Sequence, residues 1–203
     1  MKKNLRSKKM KRFVLILILS ILFFSVSPLF AADTPDESVK ANVDQVLAVL
    51  RNKSLGREAK TERLESIYKK MFNEVELSKR SMGRHWKQLN PSQQKEFVDI
   101  FRRILEKAYI DKILAYKDEK VEFDKSSMIA QNRAEVPTTV VSSSRRTPIT
   151  YRLIKQENDW RVYDVVIENV SLVQNYRSQF NELMTKNSPE QLIEILRKKV
   201  KQK

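Results

Sequence analysis

The spacing of the apolar residues changes twice along this chain, and that change constrains the fold more than any single motif. Behind an apolar N-terminal stretch, and up to about residue 118, apolar residues recur every three to four positions, as amphipathic helices require. Val39, Val43, Val46, Leu47 and Leu50 mark one helix. Gly56 ends that stretch, and a second helix runs from about Arg57 to Phe72 with Leu64, Ile67, Tyr68 and Met71 on its apolar face. A short segment from Val75 to Met82 follows, with Gly83 as its left-handed exit. Asn90 and Pro91 then open the clearest helix, a good cap followed by a proline at a position where its missing N–H is no loss. Phe97, Phe101, Ile104, Leu105, Ala108 and Leu114 share one side of it, Val98, Ile100, Tyr109 and Ile113 widen that side, and the pattern runs to about Tyr116. The apolar arc is wider than a single neighbour needs.

From Val121 the period drops to two. Val121–Phe123, Val136–Ser142, Ile149–Ile154 and Trp160–Ile167 read as four strands separated by turn-forming stretches. Short connections make them an antiparallel meander, with Pro137 expected at an edge or a bulge. Helical spacing then returns. Leu172, Val173, Tyr176, Phe180, Leu183 and Met184 form one stripe, and Ser188-Pro189-Glu190-Gln191 is a capping box ahead of a last helix carrying Leu192, Ile193, Ile195 and Leu196. Helices, a meander and helices again predict one α+β domain: a four-stranded antiparallel meander packed with several helices.

The first 32 residues differ from the rest. Seven lysines and arginines precede an apolar run from Phe13 to Phe24, and Ala31 and Ala32 lie just before an acidic stretch. This reads as a secretory signal peptide over 1–32, cleaved after Ala31 or Ala32; a retained membrane anchor is the rival. Residues 33–203 form the exported domain. Without the leader, 33 basic residues face 25 acidic ones, a net charge of +8. An exported protein seldom meets nucleic acid, so the charge suits an anionic membrane surface, acidic partners, or general solubility.

Composition excludes much chemistry. There are no cysteines, one histidine (His85) and two glycines (Gly56 and Gly83). Thiol catalysis, cysteine metal sites and glycine-rich phosphate cradles are therefore unavailable. Asp164 and Glu168, with Tyr163 and Tyr151 nearby, resemble the pocket carboxylate and tyrosines of cone-shaped isomerases. The plainer expectation is that Asp164 caps or pairs with an arginine at the sheet edge, and that His85 is a packing or hydrogen-bonding residue.

More informative is a surplus of apolar surface. The last strands carry large residues on both faces: Trp160, Val162 and Val166 on one, Tyr163, Val165 and Ile167 on the other. Either helices cover both faces, or an internal cavity lies between sheet and long helix.

One segment is recognisable. Residues Trp160 to Phe180, WRVYDVVIENVSLVQNYRSQF, resemble the hallmark of the MlaC or toluene-tolerance family. Gly83-Arg-His-Trp86, Phe97 to Phe101, Leu105 to Tyr109 and the Leu192–Leu196 helix agree in order and spacing. Two positions depart: Asn73 stands where an aspartate is expected, and Asn169 where a glycine usually precedes Val-Ser-Leu. The resemblance implies a monomeric periplasmic phospholipid carrier with a nuclear-transport-factor-like fold, no catalytic set and no metal, with phospholipid as cargo rather than cofactor. It also implies two partners, an inner-membrane lipid transporter with a substrate-binding ring and an outer-membrane lipoprotein complex. On that reading the acyl tails occupy a cavity lined by Phe101, Leu105, Tyr109, Val140, Tyr151, Val162, Val166 and Tyr176. Arg84, Arg145, Arg146 and Arg177 are the expected contacts for headgroups or partners. An isomerase-like pocket enzyme is the alternative, and a structural adaptor a third.

Overall fold

In a computed structural model that describes residues 34–116 and 118–201, three helices precede the long one: α1 (Pro35–Arg51), α2 (Arg57–Met71) and α3 (Glu74–Met82). The signal-peptide reading falls outside the described residues. Each helix starts where the chain supplies what its first turn lacks. Thr34 accepts the amide of Glu37 at the head of α1, and Asn73 accepts that of Glu76 at the head of α3. Asparagine therefore does at position 73 what an aspartate would. Gly83 ends α3 at φ 56°, ψ −130°, a backbone state that strongly favours glycine. A 3-10 helix, Gly83–Gln88, follows it.

The long helix α4 (Pro91–Leu114) begins with a full capping box between Asn90 and Gln93. Six strands follow: β1 (Lys120–Phe123), β2 (Ser127–Ala130), β3 (Arg133–Val141), β4 (Arg146–Gln156), β5 (Asp159–Ile167) and β6 (Val170–Ser171). Two closing helices, α5 (Leu172–Lys186) and α6 (Pro189–Lys201), complete the described chain. The sheet is antiparallel, ordered β1-β3-β4-β5-β6, with β2 also on β3. The α+β class is as expected; the count of four strands is not. β1 pairs with Thr138–Val141 and β2 with Arg133–Glu135, so the two form one interrupted edge strand. Pro137 lies opposite the interruption. Its carbonyl accepts the amide of Asp124, and in an antiparallel pair a residue's N–H points to the same side as its carbonyl. The missing donor thus falls at the break. β6 was also absent from the expectation, because two residues are too few to show a period.

A bulge shifts the phase of β5. Arg152 pairs with Asp164 but Leu153 with Val162, leaving Tyr163 as the extra residue. Trp160 and Val162 share a face with Val165 and Ile167, not with Val166. The even alternation expected from sequence therefore holds only up to Val162.

Three apolar clusters hold the domain together. Phe97, Phe101, Tyr176 and Phe180 centre a helical cluster formed by α3 to α6, with Phe101 and Tyr176 ring centroids 4.9 Å apart. Val39 and Val43 of α1 pack with Met71 on Ala134, Val136, Leu153, Trp160 and Val162 of the sheet. Val49, Leu50, Leu64 and Ile67 join α1 to α2 and receive Ile110 and Ile113 from the end of α4.

Candidate functional site: an apolar cavity

Between the last two clusters the packing opens into a cavity of about 750 Å³. Protein interiors rarely hold voids much larger than a water, so this is no packing defect; its size is that of a ligand site. Its helical wall is Val46, Leu47 and Leu50 of α1, Leu64 and Tyr68 of α2, and Leu105, Tyr109, Ile110 and Ile113 of α4. The sheet wall is Val121, Val140, the alternating Thr147, Ile149 and Tyr151 of β4, and Val165 and Ile167 of β5. Leu172 of α5 and Val170 stand at one end, and Val170 is 60% exposed.

The cavity's charged neighbours are largely committed to one another. Arg102 bridges Glu65 at 2.6 Å and Asp99 at 2.9 Å. Arg145 pairs with Glu168, and Lys112 lies 5.4 Å from the Tyr109 ring centre. Glu168 and Asn169 both have positive φ, 48° and 66°, which lets the tight β5–β6 turn form without the expected glycine; asparagine tolerates that region best among the non-glycine residues. Enclosure in the cavity wall pushes the Tyr151 phenol up to about 12 and raises Tyr68 as well, with Glu74 adding to the second shift.

Of the eight residues expected to line a cavity, Leu105, Tyr109, Val140 and Tyr151 do so. The other four lie elsewhere. Phe101 and Tyr176 are consumed by the helical cluster, packed on each other. Val162 is closed into the core of the sheet, and the bulge turns Val166 to the opposite face. The broad arc of α4 does serve two contacts, but they are divided along its length. Phe97 and Phe101 in its first half meet α5 and α6, Ile110 and Ile113 near its end border the cavity, and Leu105 and Tyr109 between them do both. Sequence reasoning passed over Ile149, Val165, Val46, Leu47 and Tyr68. Ile149 was within reach, because a strand residue two positions from Tyr151 shares its face.

The four expected contact arginines do not form one cluster. Only Arg145 lines the cavity. Arg146 turns to Glu122 on the edge strand. Arg84 donates to Asn181, and Arg177 donates to the Arg80 carbonyl while packing across Gly83, so the two tie α5 to the end of α3 and the 3-10 helix that follows it.

The plainer expectation for the acid holds. Asp164 is 2% exposed and faces away from the cavity. It accepts from the Ser171 hydroxyl at 2.7 Å, the Val173 amide at 3.0 Å and Arg152 at 3.2 Å. A carboxylate so fully engaged, and outside the cavity, is not placed to take a proton from a ligand there. His85 is likewise held by Asn181 at 3.0 Å beneath α5.

The fold and site define a class: an α+β domain whose sheet and helices enclose a large, mainly apolar cavity. A profile described as MlaC protein matches residues 40–198, and the chain belongs to that family. It is 24% identical over 184 residues to the toluene tolerance protein ttg2D of Pseudomonas putida, covering 88% of this chain and 84% of that one. It is 20% identical over 117 residues to the intermembrane phospholipid transport system binding protein MlaC of Haemophilus influenzae, 55% of each chain. Among solved structures, the phospholipid-binding protein of Ralstonia solanacearum, in complex with a phospholipid, shares its fold. The TM-score is 0.74 at 24% identity, over 81% of this chain and 96% of that one.

Proposed function

We propose that this protein is a periplasmic phospholipid carrier that holds acyl tails in the cavity between sheet and helices. The observation that carries the reading is the cavity itself, about 750 Å³ with apolar walls from every layer of the fold. Membership of the MlaC family, and the phospholipid bound by the Ralstonia neighbour, support that choice of cargo. Each methylene exposed to water costs about 0.8 kcal/mol, so a lipid with roughly 30 tail methylenes cannot cross an aqueous space unaided. An apolar cavity removes that cost without outcompeting the bilayer, and transfer between two membranes then needs little net energy.

On this reading the protein acts as a monomer and not as an enzyme, and phospholipid is its cargo. The partners are an inner-membrane transporter with a substrate-binding ring and an outer-membrane lipoprotein complex, consistent with the transport-system name of the Haemophilus relative. Among the described residues no helix is long and apolar enough to cross a membrane. Helices packed on an antiparallel sheet also support kinship with nuclear-transport-factor-like domains. Arg145, at the cavity wall, is the residue best placed to meet a headgroup or an acidic partner.

Native mass spectrometry of the protein purified from its periplasm tests the reading. The expected result is one phospholipid mass added per chain, released by denaturation. Protein that carries no lipid and takes none up from vesicles would overturn it.

A further inference from the structure

Tyr68, Tyr109, Tyr116 and Tyr151 line the mainly apolar cavity. Among the described residues, none of these four hydroxyls has a protein hydrogen-bond partner. Tyr151 lies in the middle of β4, between Ile149 and the fully buried Leu153 on the same face, so its ring belongs to the floor of the cavity. Tyr116 follows the end of α4 on the facing wall. Both phenols therefore border the same cavity, one from the sheet and one from the helical side. A phenol confined among aliphatic side chains is normally matched to an acceptor. Hydrocarbon tails offer none. The acceptors of a diacyl lipid nearest its tails are its ester carbonyls.

We propose that Tyr151 and Tyr116 form a polar subsite within the cavity that donates to an ester carbonyl of a diacyl lipid, so that the protein favours ester-linked over ether-linked cargo. The proposal rests on the carrier reading and deepens it. An ether oxygen is a weaker and less accessible acceptor than a carbonyl, so replacing esters by ethers removes the acceptor while keeping tails and headgroup. Phenylalanine at 151 and 116 removes the donors while keeping the ring that fills the wall.

The test is competition between diacyl phosphatidylethanolamine and its dialkyl ether counterpart with the same chains, offered together in vesicles to delipidated protein. Wild type should retain the diester three- to tenfold over the diether, the range expected of one neutral hydrogen bond. In Tyr151→Phe/Tyr116→Phe the ratio should fall to about one, whatever the total amount of lipid retained. Equal retention by wild type, which needs no variant to fold, would overturn the proposal, as would a preference that survives in the double variant. Uptake of neither lipid would instead overturn the carrier reading and this inference with it.

Discussion

Asp164 and Ser171 are joined by a buried 2.7 Å hydrogen bond that ties strand β5 to the first turn of α5. The same serine oxygen accepts the Gln174 amide, and the second carboxylate oxygen of Asp164 accepts the Val173 amide. Two orphan donors of one helix are thereby satisfied from one point, with negative charge at the positive end of its dipole. Replacing Asp164 by alanine should cost about 2–4 kcal/mol, since Arg152 keeps Glu135 as a second partner and is not left unpaired. Ser171→Ala should cost about 1 kcal/mol. Urea unfolding measures both. Asp164→Asn, which keeps the shape, should leave lipid content unchanged; loss of bound lipid from a folded Asp164→Asn protein would return the carboxylate to the site.

Cavity wall and core respond differently to substitution. Val140 and Ile149 border open space, so Val140→Trp or Ile149→Trp can fill it without displacing neighbours. Each should lower the amount of co-purified lipid about tenfold while the melting temperature holds or rises. Val162 is 1% exposed in a closed cluster. Val162→Asp buries a charge with no partner and should prevent folding, so it is not a test of binding. Lipid extraction beside thermal melting separates the two outcomes.

The two adjacent arginines of the β3–β4 hairpin should part company. Arg145→Glu places like charges together at the cavity wall beside Glu168, whereas Arg146→Glu only opposes Glu122 on the outer edge. Exposed pairs of this kind contribute at most about 1 kcal/mol to stability, so both variants should fold normally. Transfer of lipid to partner-bearing membranes should slow several-fold for Arg145→Glu at low ionic strength, and by less than about twofold for Arg146→Glu. The difference should shrink as salt rises. Equal effects of the two reversals would remove Arg145 from the role proposed for it.

Glu74 carries a buried oxygen without a hydrogen-bond partner. Burial raises its pKa despite the attraction of Arg102 and Lys69. A carboxyl whose folded pKa is raised stabilises the fold in its protonated form, and that contribution is lost as pH rises through the folded value. At pH 7 the charged group therefore works against folding. Glu74→Gln should raise the midpoint by about 1–2 °C at pH 7, on the order of half a kcal/mol for a domain of this size. The gain should disappear below the ordinary glutamate pKa. A midpoint that falls at pH 7 would show the ion pairs outweighing burial.

The sequence by itself determined the helices and the longer strands. Asn90 with Gln93, Pro91, Asn73 and Gly83 act through neighbours only a few residues away, so their roles are written in local order. The family was legible for a related reason: the Trp160–Phe180 stretch contains both the strand and the helix that Asp164 and Ser171 connect. What only the tertiary structure decided is which apolar residues close on one another and which face a space. Phe101 and Leu105 are one helical turn apart on α4, equally apolar and in the same buried cluster, yet only Leu105 also borders the cavity. Nothing in their spacing separates them, because burial against protein and burial against cargo ask for the same side chains. The bulge at Tyr163 has the same character. One unpaired residue reverses the faces of everything after it, and its position is set by the pairing of β5 with β4, whose partners lie 12 residues apart at Arg152 and Asp164. Val166 and Val165 exchanged places for that reason alone.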